Sequence, residues 1–134
     1  MTYRTAVMAC LTMGVVLRTV QYGAQASLWL DELALAHTIV VRDLVRLVTE
    51  PLAYQQVAPA GFLVLQKIAI SALGAGELGF RVVPWLASIA ALFVFWRVTM
   101  RLLPQGAALL ALTLFAGGIA FTSYAGQAKQ YSTD

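Results

Sequence analysis

Apolar residues in this chain form long runs separated by short polar stretches. One run covers residues 5–17, between Arg4 and Arg18, and two later runs cover 82–96 and 107–121. A helix needs about 20 mostly apolar residues to cross a bilayer core of about 30 Å. Because arginines at helix ends can extend toward the headgroups, the first run predicts a crossing at about 4–22. The later runs predict crossings at about 81–98 and 104–122.

The stretch between the first two crossings has a different pattern. Apolar residues recur there with a helical period and charged residues fall between them, so the segment predicts an amphipathic helix at about 31–49 lying along the membrane interface. The predicted apolar face consists of Leu33, Ala36, Val40, Leu44 and Leu47. A second apolar stretch, 62–73, is short for a crossing and predicts another interfacial helix at about 61–74. Both helices would belong to a long outer loop at about 27–80.

The orientation depends on whether 62–73 crosses the membrane. If it lies in the interface, Arg4, Arg97 and Arg101 all face the cytoplasm, as the excess of Lys and Arg on that side requires. If it crosses, Arg97 and Arg101 move to the outer side. The charges therefore favour three crossings, with an outer segment at 123–134.

Composition agrees with a membrane protein. Of the 134 residues, 60% are hydrophobic and 11% are charged, and the mean hydropathy is +0.79, whereas soluble domains have about 25% charged residues. The fold class predicted is all-α, with polytopic membrane helices and interfacial juxtamembrane helices. The net charge of +3 reports orientation in such a chain and gives no argument for nucleic acid. Cys10 is the single cysteine, so an internal disulfide is excluded.

The first apolar run has a second interpretation. A basic start, an apolar core and Ala24-Gln25-Ala26 before Ser27 are also typical of a cleavable signal peptide. Arg18 interrupts that pattern, and further apolar segments follow. In both interpretations the residues after 26 lie outside the cytoplasm.

Polar residues that are candidates for catalysis or ligand binding gather on the predicted outer face. Asp31 and Glu32 follow the first crossing, and a charge so close to a bilayer is costly unless it has partners or a wet face. The same face would carry the hydrogen-bonding amides and charged groups of Gln55, Gln56, Arg81, Lys129 and Asp134. A simpler explanation for the acidic pair is that it begins the interfacial helix, where acids favour the positive end of the helix dipole.

Four segments together resemble a known family. They are Leu-Trp-Leu-Asp-Glu at 28–32, Gln-Val-Ala-Pro-Ala-Gly-Phe at 56–62, Gly-Glu-Leu-Gly-Phe-Arg-Val-Val-Pro at 76–84, and Tyr-Ala-Gly-Gln-Ala-Lys-Gln-Tyr-Ser-Thr-Asp at 124–134. In this order they are similar to the N-terminal region of bacterial GT-C membrane glycosyltransferases. These are relatives of the dolichyl-phosphate-mannose mannosyltransferases and the aminoarabinose lipid A transferases.

The resemblance implies transfer of a sugar from a polyprenyl-phosphate donor to a glycan, lipid or protein acceptor, at the outer face of a bacterial inner or plasma membrane. It implies that Asp31 is catalytic with Glu32 as its neighbour, and that Asp134 is the second acidic position. Lys129 and Arg81 are candidates to stabilise the donor phosphate, and Gln55 and Gln56 to bind substrate. Asp31 and Glu32 could share a divalent metal with phosphate oxygens.

The chain also departs from the family pattern. Gln127 stands where a carboxylate is common, and family members have several hundred residues with further crossings. The chain is therefore expected to be the N-terminal part of a longer enzyme. The alternatives are a non-catalytic membrane module, such as a transporter fragment or scaffold, and an inactive truncated product.

Overall fold

The computed structural model describes residues 2–24 and 30–118, and for Asp31 and Gln55 it describes the backbone alone. Most of these residues are helical, with no strand among them, so the all-α prediction is confirmed at this level. The helices are α1 (Tyr3–Gly23), α2 (Leu30–Val41), α3 (Leu44–Thr49), α4 (Ala60–Leu73), α5 (Glu77–Leu102) and α6 (Gln105–Gly117), with a 3-10 turn at Ala53–Gln55.

Helices α1, α5 and α6 form a bundle in which α5 runs antiparallel to the other two. The Tyr3 hydroxyl donates to Met100 Sδ at 2.9 Å, and the Tyr22 hydroxyl donates to the Leu78 carbonyl at 3.3 Å, so the start of α1 lies beside the end of α5. The buried apolar core of the bundle consists of Val7, Leu11, Leu92, Leu112 and Ala116. Helix α1 supplies Val7 and Leu11 to this core, and both interpretations of its sequence, a membrane crossing and a cleavable signal peptide, remain predictions.

Two helices of the bundle are long enough and apolar enough to cross a membrane. They are α1, with 21 residues, and α5, with 26. At 1.5 Å per residue α5 is about 39 Å long, which exceeds a hydrocarbon core of about 30 Å. The 14 residues of α4 and the 13 of α6 are apolar but shorter. The interfacial placement of α4 and the third crossing remain predictions.

The two ends of the bundle differ in charge. Arg4 lies at the end where Tyr3 meets Met100, and Arg97 and Arg101 flank Met100 on α5. We call this the arginine end. The opposite end, which we call the loop end, carries helices α2, α3 and α4, packed beside the start of α5.

The predicted interfacial helix at 31–49 is two helices in the structure. The chain leaves the helical path after Val41 and begins α3 at Leu44, where Asp43 Oδ1 accepts a hydrogen bond of 2.8 Å from the Arg46 backbone N–H. An aspartate that caps a helix start provides an alternative to continuing the preceding helix. The break at 42–43 therefore follows from the capping chemistry of Asp43.

The predicted apolar face of this segment is wrong in most positions. Leu33, Val40 and Leu44 are 54%, 45% and 45% exposed, and only Ala36 and Leu47 of the five are buried. The face that packs inward on α2 instead runs through Glu32, Leu35, Ala36 and Ile39. The sequence did not reveal this face because a carboxylate belongs to it, and an apolar period is found by excluding charged residues.

The contact between α1 and α6 gives a direct test of the bundle. Cys10 Sγ lies 3.3 Å from Thr113 Oγ1, so Thr113→Cys is expected to form a rapid intramolecular cross-link to Cys10 with a short bifunctional thiol reagent. Loss of free thiols, counted by maleimide-PEG labelling after denaturation, measures it. Leu114→Cys, one position along and 64% exposed in the native residue, is the matched control. Equal cross-linking of both variants would contradict the packing.

Candidate functional site

The site is centred on charged residues that α2 and α5 bury at the loop end. Glu32 is 3% exposed, because the face of α2 that contains it packs on α4 and belongs, through Leu35, Ala36 and Ile39, to the core of the loop end. Residues three or four apart share a helix face. Glu32 therefore points in the same direction as the residues that fill the core of the loop end. A carboxylate at such a position is expensive unless it has partners, and Glu32 does have interactions.

Arg81 brings a positive charge to the same end. It is 2% exposed in α5, next to Phe80, which belongs to the same core as Leu35 and Ala36 of α2. It also lies between Leu78 and Trp85, the two residues that Tyr22 contacts, since the Tyr22 and Trp85 rings stack with centroids 5.0 Å apart. The sequence placed Arg81 on the outer face; in the structure its side chain is buried, and it too has interactions.

A polar contact holds α4 against α5 at this point. Pro84 lies inside α5 and has no backbone N–H, so the Phe80 carbonyl four residues earlier loses its helical partner. The Gln66 Nε2 amide donates to that carbonyl at 2.7 Å, and Gln66 is fully buried. A buried unpaired carbonyl costs free energy, so Gln66 compensates for Pro84. This contact fixes the part of α5 that carries Arg81.

Lys67 attaches α2 to α4. Its ammonium donates to the carbonyls of Ile39, Val40 and Arg42 at 2.7, 3.1 and 2.8 Å. An ammonium has three donors, so all of them are used at the end of α2. A cation there is also favoured by the helix dipole. Lys67 therefore positions α2, the helix that carries Glu32, against α4.

An open groove of about 380 Å³ lies between α3, the following loop and α4. Glu50 and Gln56 supply its polar groups, and Leu52 and Leu63 are among its apolar ones. Tyr54, in the same loop, has a φ of 57°, an uncommon conformation for a residue with a side chain. The predicted substrate residue Gln56 thus lines a groove that could admit a polar ligand.

The structure adds Arg18, which the sequence treated as the flank of the first crossing. Arg18 is 1% exposed and does not extend toward the headgroups. Its Nη1 donates to the Gly14 and Ala116 carbonyls at 3.0 and 3.2 Å, and its Nη2 to the Phe115 carbonyl at 3.3 Å. The last carbonyls of a helix lack helical partners, and Arg18 occupies them at the end of α6.

Several predicted site residues cannot be placed. Lys129 and Asp134 lie outside the described residues, as do the side chains of Asp31 and Gln55. Glu32 and Arg81 come to one end of the bundle, and Gln56 lines the groove beside α4. Among the described residues, no three side chains of His, Cys, Asp or Glu converge on a metal position. The shared metal at Asp31 and Glu32 remains a prediction.

Comparison with known proteins adds no identification. The chain matches no protein-family model, no curated protein and no solved structure.

Proposed function

We propose that the chain is the N-terminal part of a GT-C membrane glycosyltransferase. The reaction is transfer of a sugar from a polyprenyl-phosphate donor to an acceptor hydroxyl at the extracytoplasmic membrane face. The motif order at 28–32, 56–62, 76–84 and 124–134 supports the proposal. Its substrates are the lipid-linked sugar and a glycan, lipid or protein acceptor.

The observation that carries the proposal is the burial of Glu32 and Arg81 at one end of a bundle whose other end carries Arg4, Arg97 and Arg101. Ionisable groups are rarely retained at a membrane without a functional reason. The proposal places Arg4, Arg97 and Arg101 in the cytoplasm, so the loop end faces outward, with Arg42, Arg46, Lys67 and Arg81 beside its acidic residues. Carboxylate and guanidinium groups then meet the outer boundary of the bilayer, where a lipid-phosphate donor has its headgroup.

The reaction assigns these groups complementary roles. The acceptor oxygen bonds to the anomeric carbon of the sugar while Asp31 accepts the hydroxyl proton, which is general base catalysis. The bond from the anomeric carbon to the phosphate oxygen breaks, and the polyprenyl phosphate leaves with the electron pair. Arg81, fixed near the Tyr22 and Trp85 stack, would stabilise that negative charge across a medium of low dielectric constant. Lys129 is proposed for the same role.

A non-catalytic membrane module is the second candidate. Lys67 and Arg18 favour it, because each donates two or more hydrogen bonds to backbone carbonyls and so has a structural role. In that case the charged groups of the loop end only hold its helices together. A sugar-transfer assay distinguishes a non-catalytic module from a glycosyltransferase.

Arg81→Gln is expected to lower sugar transfer about tenfold, the factor that corresponds to about 1.4 kcal/mol of transition-state stabilisation. The assay follows radiolabelled sugar from a polyprenyl-phosphate donor in membranes that contain the full-length protein. Arg46→Gln is the matched control, because the Arg46 side chain is 68% exposed on α3. The Cys10 to Thr113→Cys cross-link is measured in parallel to verify folding. Unchanged transfer in a folded Arg81→Gln protein would remove Arg81 from the mechanism, and no transfer by the unsubstituted protein would refute the proposed function.

A further inference from the structure

The arginine end has an apolar groove that the proposed reaction does not use. It has a volume of about 330 Å³ and is lined by Tyr3, Arg4, Val7, Met8, Trp96 and Met100. The Tyr3 hydroxyl and Met100 Sδ, 2.9 Å apart, join α1 to α5 beside it. The groove therefore lies between the two helices that are long enough to cross a membrane, with a cationic side chain among otherwise apolar or aromatic ones.

The surroundings of the groove are positively charged. Arg97 lies on α5 with its Cζ 5.7 Å from the centre of the Trp96 ring, and Arg101 follows one turn later. The acidic side chains that the structure describes all belong to residues 32–77, in the loop-end helices, their connections and the first turn of α5. A ligand that fits here has an apolar body and an anionic head. Tryptophan also favours the depth of lipid headgroups.

We propose that this groove binds an anionic phospholipid, with an acyl chain against Val7, Met8 and Trp96 and its phosphate at Arg4. Anionic lipids are attracted to basic residues beside membrane helices, by an amount that corresponds to about a fivefold change in binding per Arg or Lys. A phospholipid can contact the apolar lining with an acyl chain and Arg4 with its phosphate, whereas free phosphate can contact only Arg4. The proposal is independent of glycosyl transfer and depends on α1 and α5 lying in the bilayer.

The test uses Trp96 as a reporter of the bound lipid. In a Trp29→Phe, Trp85→Phe background, Trp96 fluorescence is measured in vesicles that contain phosphatidylglycerol or phosphatidylcholine with brominated acyl chains, which quench it on contact. We expect at least a fivefold preference for phosphatidylglycerol, which decreases about fivefold in Arg4→Gln and falls at high salt. Arg46→Gln, a substitution of an arginine on α3, is expected to keep the preference.

Two further variants test the acyl-chain half of the groove. Met8→Tyr narrows the groove and is expected to reduce quenching by both brominated lipids, while Val20→Tyr should not. Met8 and Val20 are 59% and 64% exposed on the same helix.

Native mass spectrometry counts the phosphatidylglycerol molecules retained by the protein without Trp substitutions. We expect that number to fall in Arg4→Gln, and the measurement is informative even if the Phe background is unstable.

Three outcomes would overturn the proposal. Equal quenching by the two lipids would show that the groove does not select an anionic head. An unchanged preference in Arg4→Gln would show that the lipid phosphate does not bind at Arg4. Loss of the preference on adding millimolar inorganic phosphate, with quenching unaffected by Met8→Tyr, would indicate a phosphate site without an acyl-chain groove.

Discussion

Asp31→Asn is expected to abolish measurable sugar transfer, with a loss of about 10²–10⁴-fold, the range that a positioned general base contributes. Asparagine has nearly the same shape as aspartate but cannot accept the hydroxyl proton. Asp31 belongs to the first turn of α2, whose opposite end Lys67 attaches to α4. The backbone at position 31 is therefore held by contacts that the substitution leaves intact. Transfer from a radiolabelled polyprenyl-phosphate sugar, with the full-length protein in membranes, measures the loss.

Glu32→Gln is the matched comparison for Asp31→Asn. Glu32 is adjacent, equally acidic and 3% exposed, so its replacement disturbs the packing of α2 as well as any chemistry. We expect Asp31→Asn to keep the melting temperature and Glu32→Gln to lower it. If Asp31→Asn retained transfer while Glu32→Gln lost it without a change in stability, the catalytic role would belong to Glu32. Full transfer by both variants would exclude the acidic pair from catalysis.

The helices of the bundle could be predicted from apolar runs alone, because a long apolar run indicates a membrane helix whichever helices it packs against. The sequence predicts a helix at about 4–22, and α1 occupies Tyr3–Gly23. The loop-end helices were predicted less accurately, since their inward faces mix apolar and polar residues. Glu32, Thr38 and Gln66 are each at most 3% exposed, and a search for apolar periodicity excludes all three.

The pairing of Gln66 with Phe80 shows where tertiary structure was needed. Pro84 was visible in the sequence, and a proline inside a helix always frees the carbonyl four residues earlier. The predicted crossing began at about 81, which puts Pro84 in its first turn, so the unpaired Phe80 carbonyl was not predicted; in the structure α5 begins at Glu77. The sequence also could not identify the donor, because Gln66 meets that carbonyl only when α4 folds back on α5. Polar residues in short apolar segments should be considered as partners of such freed carbonyls.

Arg18 was misinterpreted for a related reason. An arginine near the end of an apolar run normally extends to the headgroups, but Gly14 creates a different option. A side chain at position 14 would approach Leu92 Cδ2 to 2.8 Å and Ala116 Cβ to 3.1 Å, so the glycine lets α6 come close to α1. The Arg18 guanidinium then reaches the final carbonyls of α6 and lies 5.6 Å from the centre of the Phe115 ring.

Arg18→Ala is expected to destabilise the bundle by about 3 kcal/mol, because hydrogen bonds from a charged donor contribute about 1.5–3 kcal/mol each and buried carbonyls lose their partners. The gain from no longer burying a charge offsets part of this loss. The corresponding fall in melting temperature is about 10 °C for a chain of this size. Thermal unfolding of the detergent-solubilised protein measures it, and Arg46→Ala, on the exposed surface of α3, is expected to have little effect.

The same substitution should also loosen α6 from α1. Cross-linking between Cys10 and Thr113→Cys is expected to slow in an Arg18→Ala background, and Arg18→Lys should restore part of the rate because a lysine can donate to one or two of the carbonyls. An Arg18→Ala protein with unchanged melting temperature and cross-linking rate would contradict the anchoring role. Phe115 and Ala116, whose carbonyls Arg18 contacts, precede in sequence the segment that contains the proposed site residues Lys129 and Asp134. A loosened α6 should therefore reduce sugar transfer in the full-length protein, although Arg18 has no proposed role in the reaction.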